Sequence, residues 1–270
     1  MELFGGIITF LKTKMFYAKP YDWFHILFFV LSIIFGIFLV KKFKNPSSNT
    51  VRKILLTISL ICIALELIKQ IILCFSYNGN EVTFNYNWYI FPFQFCSTPM
   101  YIGLIAGMFK KGRIHNCCTA YLASYAVFAG LSVMVWPSGV FTDILSVNIQ
   151  TMVCHGSMIS IGIFLLCTNY VEPTFKTFLK ALPIFTICFF IAIILNEIAY
   201  SSGILNYGEF NMFYISPYCK TIIPILDIAE KYLPTPMPQI IYFVGFSLIA
   251  YLILFAFKYI NLALRNKHNK

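Results

Sequence analysis

Charge is what this sequence has least of. Asp, Glu, Lys and Arg make up 11% of it, where ordinary globular domains carry about 25%. Internal repeats and low-complexity tracts are missing as well, and nothing marks a linker or a second domain, so 1–270 reads as a single domain. No C-x-x-C pair and no Cys/His spacing resembles a zinc site, so neither a metal nor another cofactor is expected. There is no arginine-rich stripe and no nucleic-acid-binding signature. The formal net charge of +10 therefore does not point to nucleic acid. The basic residues fall in short loops between apolar runs, where membrane topology accounts for them.

Apolar residues fill the space that charge leaves. They make up 59% of the chain, aromatic residues alone 18%, and the mean hydropathy is +0.78. A soluble core of this length cannot absorb that much apolar surface, whereas lipid can. The aromatic share also suits a bilayer, whose interfaces favour Trp and Tyr. Most cysteines, including Cys62, Cys74, Cys154, Cys167 and Cys188, lie inside apolar runs and read as small apolar filler. Cys117 and Cys118 adjoin a basic loop and are open to acylation, although packing is the simpler reading.

A spanning helix needs about 20 apolar residues. By that measure the chain predicts an all-α, polytopic helix bundle of about seven spans, near 23–40, 54–76, 88–109, 115–135, 148–168, 178–200 and 239–257. Trp136, Pro137, Ser138 and Gly139 form a turn signal between the fourth and fifth. Residues 1–20 do not resemble a cleaved signal and are expected to lie in the interface. The loop at 200–238 is rich in proline yet holds an apolar stretch, Thr221 to Leu233, that suits a short interfacial or re-entrant helix.

Lysine and arginine orient the bundle. Lys41, Lys42, Lys44, Arg52 and Lys53 occupy the first loop, and Lys110, Lys111 and Arg113 the third. Lys176 and Lys180 occupy the fifth, and Lys258, Arg265, Lys267 and Lys270 the tail. The second and fourth loops carry none, and the sixth only Lys220 and Lys231. The positive-inside rule then sets the N-terminus outside and the C-terminus in the cytoplasm, although Lys12, Lys14 and Lys19 run against this. The plasma membrane is the expected location.

An ionisable residue inside a span costs about 2.5–3.5 kcal/mol on the insertion scale, which makes it a functional candidate. Glu66, Lys69 and Gln70 share one face of the second span, and Asn148, Thr151 and His155 one face of the fifth. Gln94 and Cys96 lie in the third span, Gln150 in the fifth, and Asn196 and Glu197 at the end of the sixth. With the expected orientation, all of these fall in the outer half of the membrane. Cys96 and His155 come level, each about 10–12 Å below the boundary. The result is a polar pocket between helices. Blander readings stand beside it. Glu66 and Lys69 can be a packing pair, Asn196 and Glu197 a helix end, and His25, near Trp23 and Tyr21, an interfacial anchor.

A thiol beside an imidazole suits acyl transfer through a thioester, with the imidazole moving the proton. Glu197, Asn196 and Glu66 are the candidates for orienting the imidazole. The segment Phe91-Pro92-Phe93-Gln94-Phe95-Cys96-Ser97 resembles the Pro-x-His-Leu-Cys-Ser motif of the YwaF-like integral membrane proteins, a group that includes the eukaryotic transmembrane protein 164. Met152-Val153-Cys154-His155-Gly156 resembles that family's histidine helix. Asn206-Tyr207-Gly208 with Asn211-Met212-Phe213-Tyr214 and Pro217 resembles its Asn–Tyr-rich loop, and Pro236-Met237-Pro238 opens the last helix. Gln94 stands where many members have histidine, and the family's Trp is missing from the last turn. The resemblance spans about 88 to 257. It implies lipid acyl transfer with Cys96 as nucleophile and His155 as base.

The sequence thus predicts a membrane-embedded lipid acyltransferase or hydrolase, with Cys96 and His155 catalytic. Gln94, Glu66, Lys69, Gln150, Asn196, Glu197 and Asn211 are the expected pocket residues, and membrane lipids serve as both environment and substrate. The alternatives are a solute or ion transporter using the same pocket, in which Glu66, Lys69 and Glu197 matter most, and a non-catalytic membrane binding protein.

Overall fold

The apolar runs fold into helices whose ends are set by local chemistry. The computed structural model describes residues 2–16, 18–137, 139–205 and 208–268, with side chains through residue 263. Ser138, Asn206, Tyr207 and Lys270, and the side chains of Arg265 and Lys267, lie outside what is described. Helix α1 (Glu2–Leu11) is followed by α2 (Trp23–Lys42), which opens on an Asp22 carboxylate that accepts from the amides of Phe24 and His25. Lys41 and Lys42 close α2, where cations complement the helix dipole. Helix α3 (Ser48–Cys74) starts at a Ser47 cap. A two-stranded antiparallel hairpin, β1 (Phe75–Tyr77) and β2 (Val82–Phe84), follows it. The remaining helices are α4 (Thr98–Met108), α5 (Arg113–Leu122), α6 (Tyr125–Val135), α7 (Leu145–Cys167), α8 (Phe175–Ser201), α9 (Pro224–Tyr232) and α10 (Met237–His268).

Among the described residues, six helical stretches are long and apolar enough to cross a membrane, with α5 and α6 counted as one. Their burial sorts them into two shells. In α7 78% of the apolar window is buried and in α5–α6 72%, against 22–28% in α2, α3, α8 and α10. The first two therefore form the centre, and the other four turn apolar faces outward, as helices bordering lipid do.

The expected third span, 88–109, folds differently. A 3-10 turn (Trp88–Ile90) leads into non-helical backbone, and only Thr98–Met108 is an α-helix. Pro92 explains the break, because a proline pushes the residue before it out of the helical region. Phe91 accordingly sits at φ −49°, ψ 129°. Pro99 then falls in the first turn of α4, where its missing N–H costs nothing. The chain passes back along α3 as an unwound half followed by a short helix. Close approach of α4 to α3 depends on small residues. A Cβ on Gly107 would stand 2.9 Å from the backbone nitrogen of Leu56, and one on Gly103 would strike the Ser59 hydroxyl. Arg52 fixes the far end of α4, with Nε and Nη2 donating to the carbonyls of Gly107 and Met108 at 3.1 and 3.0 Å.

The expected fourth span also bends, at Ala123–Ser124. The hydroxyls of Thr119 and Ser124 donate back to the carbonyls of His115 and Ala120, a pattern that bends helices. His25, expected as an interfacial anchor, is instead fully buried. Its Nδ1 accepts from the Tyr21 amide, so its Nε2 carries the proton and donates to the Met134 carbonyl at 3.0 Å. It ties the start of α2 to the end of α6.

Candidate functional site

The polar residues of α3, the unwound segment and α7 converge on one cavity of about 100 Å³. α3 contributes Ser59, Cys62, Glu66 and Lys69 to its wall, and the unwound segment and start of α4 contribute Cys96, Ser97 and Pro99. α7 contributes Gln150, Thr151, Cys154, His155 and Ser157. Its floor is apolar, formed by Ile58, Met100, Leu122, Ala126, Met158 and Ile161. The cavity is therefore polar toward the hairpin end of α3 and apolar toward the end that carries Arg52.

His155 is buried in this wall with an assigned tautomer. Its Nδ1 lies 2.7 Å from the Thr151 carbonyl oxygen. A carbonyl only accepts, so Nδ1 carries the proton and Nε2 is the free base of the neutral ring. Nε2 is buried and, among the described residues, has no hydrogen-bond partner. The orienting group is thus a backbone carbonyl one turn earlier on the same helix. Neither Glu66, Asn196 nor Glu197, the sequence candidates, bonds the ring, for reasons visible in their own contacts.

Glu66 is saturated elsewhere. Its Oε1 accepts from Lys69 Nζ at 2.8 Å and from Gln70 Nε2 at 2.9 Å, and its Oε2 accepts from Gln150 Nε2 at 2.8 Å. Gln70 also donates to the Ile90 carbonyl, which ties α3 to the 3-10 turn. Asn196 clamps the loop after α8, with Nδ2 donating to the Met212 carbonyl and Oδ1 accepting from the Met212 amide. Glu197 is exposed and accepts from the Tyr218 hydroxyl at 2.8 Å.

The nine predicted site residues therefore separate into groups. Glu66, Lys69, Cys96, Gln150 and His155 share the cavity. Gln94, Asn196 and Asn211 are structural clamps around the loop at 210–216, and Glu197, exposed and bonded to Tyr218, belongs to neither group. Gln94 donates to the Asn211 carbonyl and accepts from the Phe213 amide, both at 2.9 Å. Asn211 Oδ1 accepts from the Ser216 amide. Such amide brackets are needed because a non-helical backbone inside a bundle must find partners for its N–H and C=O groups. Phe95, one residue from Gln94, anchors the same segment by packing edge-on against Phe185, Phe213 and Phe246.

Two further cavity residues were read from the sequence as apolar filler. Cys62 and Cys154 both line the wall, with Cys62 Sγ 3.4 Å from Ser157 Oγ and Gln150 Nε2 3.6 Å from Cys154 Sγ. The signal was present in the spacing. Cys62 lies one turn before Glu66 on α3, and Cys154 one turn after Gln150 on α7. Among the described residues, no group of three or more His, Cys, Asp or Glu is placed to hold a metal ion.

The TMEM164 family model matches residues 16–259, every element that builds the cavity. The chain belongs to the TMEM164 family. The match extends the resemblance of residues 88–257 over almost the whole sequence. Together with the six apolar helices it makes this an integral membrane protein. No curated protein and no solved structure matches the chain.

Proposed function

We propose that this TMEM164-family protein is a membrane-embedded lipid acyltransferase or lipid hydrolase, with Cys96 as nucleophile and His155 as general base. One observation carries the reading: among the described residues His155 Nε2 is a base with no hydrogen-bond partner, its tautomer fixed by the Thr151 carbonyl, in a cavity that Cys96 also lines. Free buried lone pairs are uncommon and mark candidate functional groups. Cys96 also precedes the N-terminus of α4, whose dipole favours negative charge. The Cys96 thiol passes its proton to Nε2, and the sulfur attacks the ester carbonyl carbon. The departing lipid alkoxide then takes that proton, leaving a thioester on Cys96. An acceptor hydroxyl or water attacks the thioester by the same steps in reverse. The apolar floor suits the first part of an acyl chain, and the cavity's size leaves the rest of the lipid to the bilayer.

The positive-inside rule orients the protein with Lys41, Lys42, Arg52, Lys110 and Lys111 in the cytoplasm. The polar end of the cavity then lies toward the opposite leaflet. The test is acyl labelling of the purified full chain with an alkyne-tagged phospholipid. A hydroxylamine-sensitive adduct on Cys96, absent from Cys96→Ala and His155→Ala, supports the reading. No adduct in folded wild type over a panel of phospholipids and glycerides rejects it.

A further inference from the structure

The charged pair in the cavity is lopsided. Glu66 accepts three hydrogen bonds, from Lys69, Gln70 and Gln150, and is 5% exposed. Its carboxylate is turned into the protein and covered by amides. An ammonium has three donors, and among the described residues Lys69 Nζ uses one, on Glu66 at 2.8 Å. Its side chain is 18% exposed and lines the cavity. The pair therefore presents its positive end to the cavity with donors to spare.

Position adds the second part. Glu66 bonds Gln150, and Cys62 bonds Ser157, which sets the level of the antiparallel helices α3 and α7 against each other. Lys69 leans back onto Glu66, one turn above Cys62, and His155 leans toward Thr151, one turn nearer the Gln150 level. The ammonium and the imidazole thus approach the same depth from two adjoining helices, with Cys96 on the unwound segment beside them. Lys69, Cys96 and His155 all line the one cavity.

We propose that Lys69 is a further catalytic residue of this site, whose ammonium binds the oxyanion that forms on the acyl carbonyl when Cys96 attacks, with Glu66 and Gln150 as positioning residues. This rests on the acyl-transfer reading above. As the carbon–sulfur bond forms, the carbonyl π pair moves onto oxygen, which Lys69 holds. When the pair returns, the carbon–oxygen bond to the lipid alkoxide breaks and His155 Nε2 protonates that alkoxide. Lys69 neither gains nor loses a proton. In a water-poor cavity a preorganised donor of this kind is worth far more than in water.

The test separates acylation from alkylation of the same sulfur. Acylation passes through an oxyanion, whereas displacement of chloride from a chloroacetamide does not. The purified full chain is reacted in parallel with an alkyne-tagged phospholipid and an alkyne-tagged alkyl chloroacetamide, and initial rates at Cys96 are read by mass spectrometry. Lys69→Gln is expected to slow acylation about 10²-fold and to slow alkylation far less, the excess loss in acylation being the oxyanion contribution, and Lys69→Arg to restore part of the acylation rate. Because Lys69→Gln leaves Glu66 unpaired, the double variant Glu66→Gln/Lys69→Gln is measured beside it, with the same expected pattern. Acylation at the wild-type rate in a folded Lys69 variant overturns this role and leaves Cys96 and His155 in theirs. Equal slowing of both reactions also overturns it, since Lys69 would then act on the sulfur alone. Wild type that is alkylated but never acylated overturns the acyl-transfer reading and this inference together.

Discussion

The Nδ1 of His155 donates to the Thr151 carbonyl oxygen across 2.7 Å, one helical turn back along α7. No side chain is needed to set the tautomer. The bond comes from the spacing of the helix itself, and it leaves Nε2 without a partner among the described residues, in the wall of the cavity. A side-chain substitution at Thr151 therefore preserves this bond, whereas loss of the imidazole removes the base. His155→Ala is expected to lower Cys96 acylation by about 10²-fold or more. Thr151→Val is expected to leave it close to wild type. Labelling rates for the two variants, at matched thermal stability, check this.

Gln94 holds the unwound segment to the loop after α8 through two backbone hydrogen bonds. Gln94→Ala is expected to destabilise the protein by about 1–3 kcal/mol, the cost of leaving buried backbone groups unpaired. Gln94→Glu is expected to be at least as harmful, because a carboxylate cannot donate to the Asn211 carbonyl. Thermal unfolding in detergent reads both. A Gln94→Ala protein as stable as wild type would show that this bracket is dispensable.

Glu66 is a buried carboxylate whose charged partner is Lys69. Removing one member of a buried pair strands the other charge, a loss of about 3–5 kcal/mol. Lys69→Met is expected to fall in that range. Glu66→Gln/Lys69→Met, which leaves no charge behind, is expected to recover most of it. The comparison of the three unfolding temperatures is the check.

Gly107 lets α4 lie against the backbone of α3. A Cβ there would stand 3.0 Å from the Arg52 carbonyl oxygen, and backbone cannot swing aside as a side chain can. Gly107→Ala is expected to cost about 1–3 kcal/mol. Gly6→Ala, which meets nothing within 4 Å, is expected to be neutral. Expression and thermal stability of the pair test this.

Asp143, in the loop before α7, pairs with Lys14 at 3.0 Å, and that hydrogen bond and charge hold its carboxyl below the usual carboxylate range. A depressed carboxylate stabilises the folded arrangement above its unfolded pKa, and the effect is lost as pH falls through the lower folded value. The 13–15 segment, which also bonds backbone to backbone with Asp143 and Leu145, is thus expected to loosen in acid. Hydrogen exchange at Met15 and Leu145 should rise as pH drops below the carboxylate range, after correction for intrinsic rates. In Asp143→Asn that rise should be missing.

Several parts of this molecule were legible one residue at a time. The six apolar helices follow from length and hydropathy, because lipid admits only backbone that satisfies itself. The face formed by Glu66, Lys69 and Gln70 and the face formed by Asn148, Thr151 and His155 follow from helical spacing, although Asn148 turns to the loop before α7, its Nδ2 donating to the Thr142 carbonyl. Pro92 was also in view, yet its consequence was not, since an apolar run of the right length reads as a span whether or not it is wound. Gln94, Asn196 and Asn211 read equally well as pocket residues and as clamps. Only the positions of Met212 and Phe213, brought back beside them from more than a hundred residues beyond Gln94, decided for clamps.

The sequence by itself determined the class of the protein and the two helix faces that carry its polar residues. Composition and period are local properties, fixed by neighbours along the chain. Only the tertiary structure decided which polar groups share a cavity, that His155 is oriented by its own helix, and that the Glu66 oxygens are engaged by Lys69, Gln70 and Gln150 while Lys69, among the described residues, keeps donors to spare. Those are statements about which hydrogen-bonding capacity is already used. That capacity is counted in space, among residues far apart in the chain.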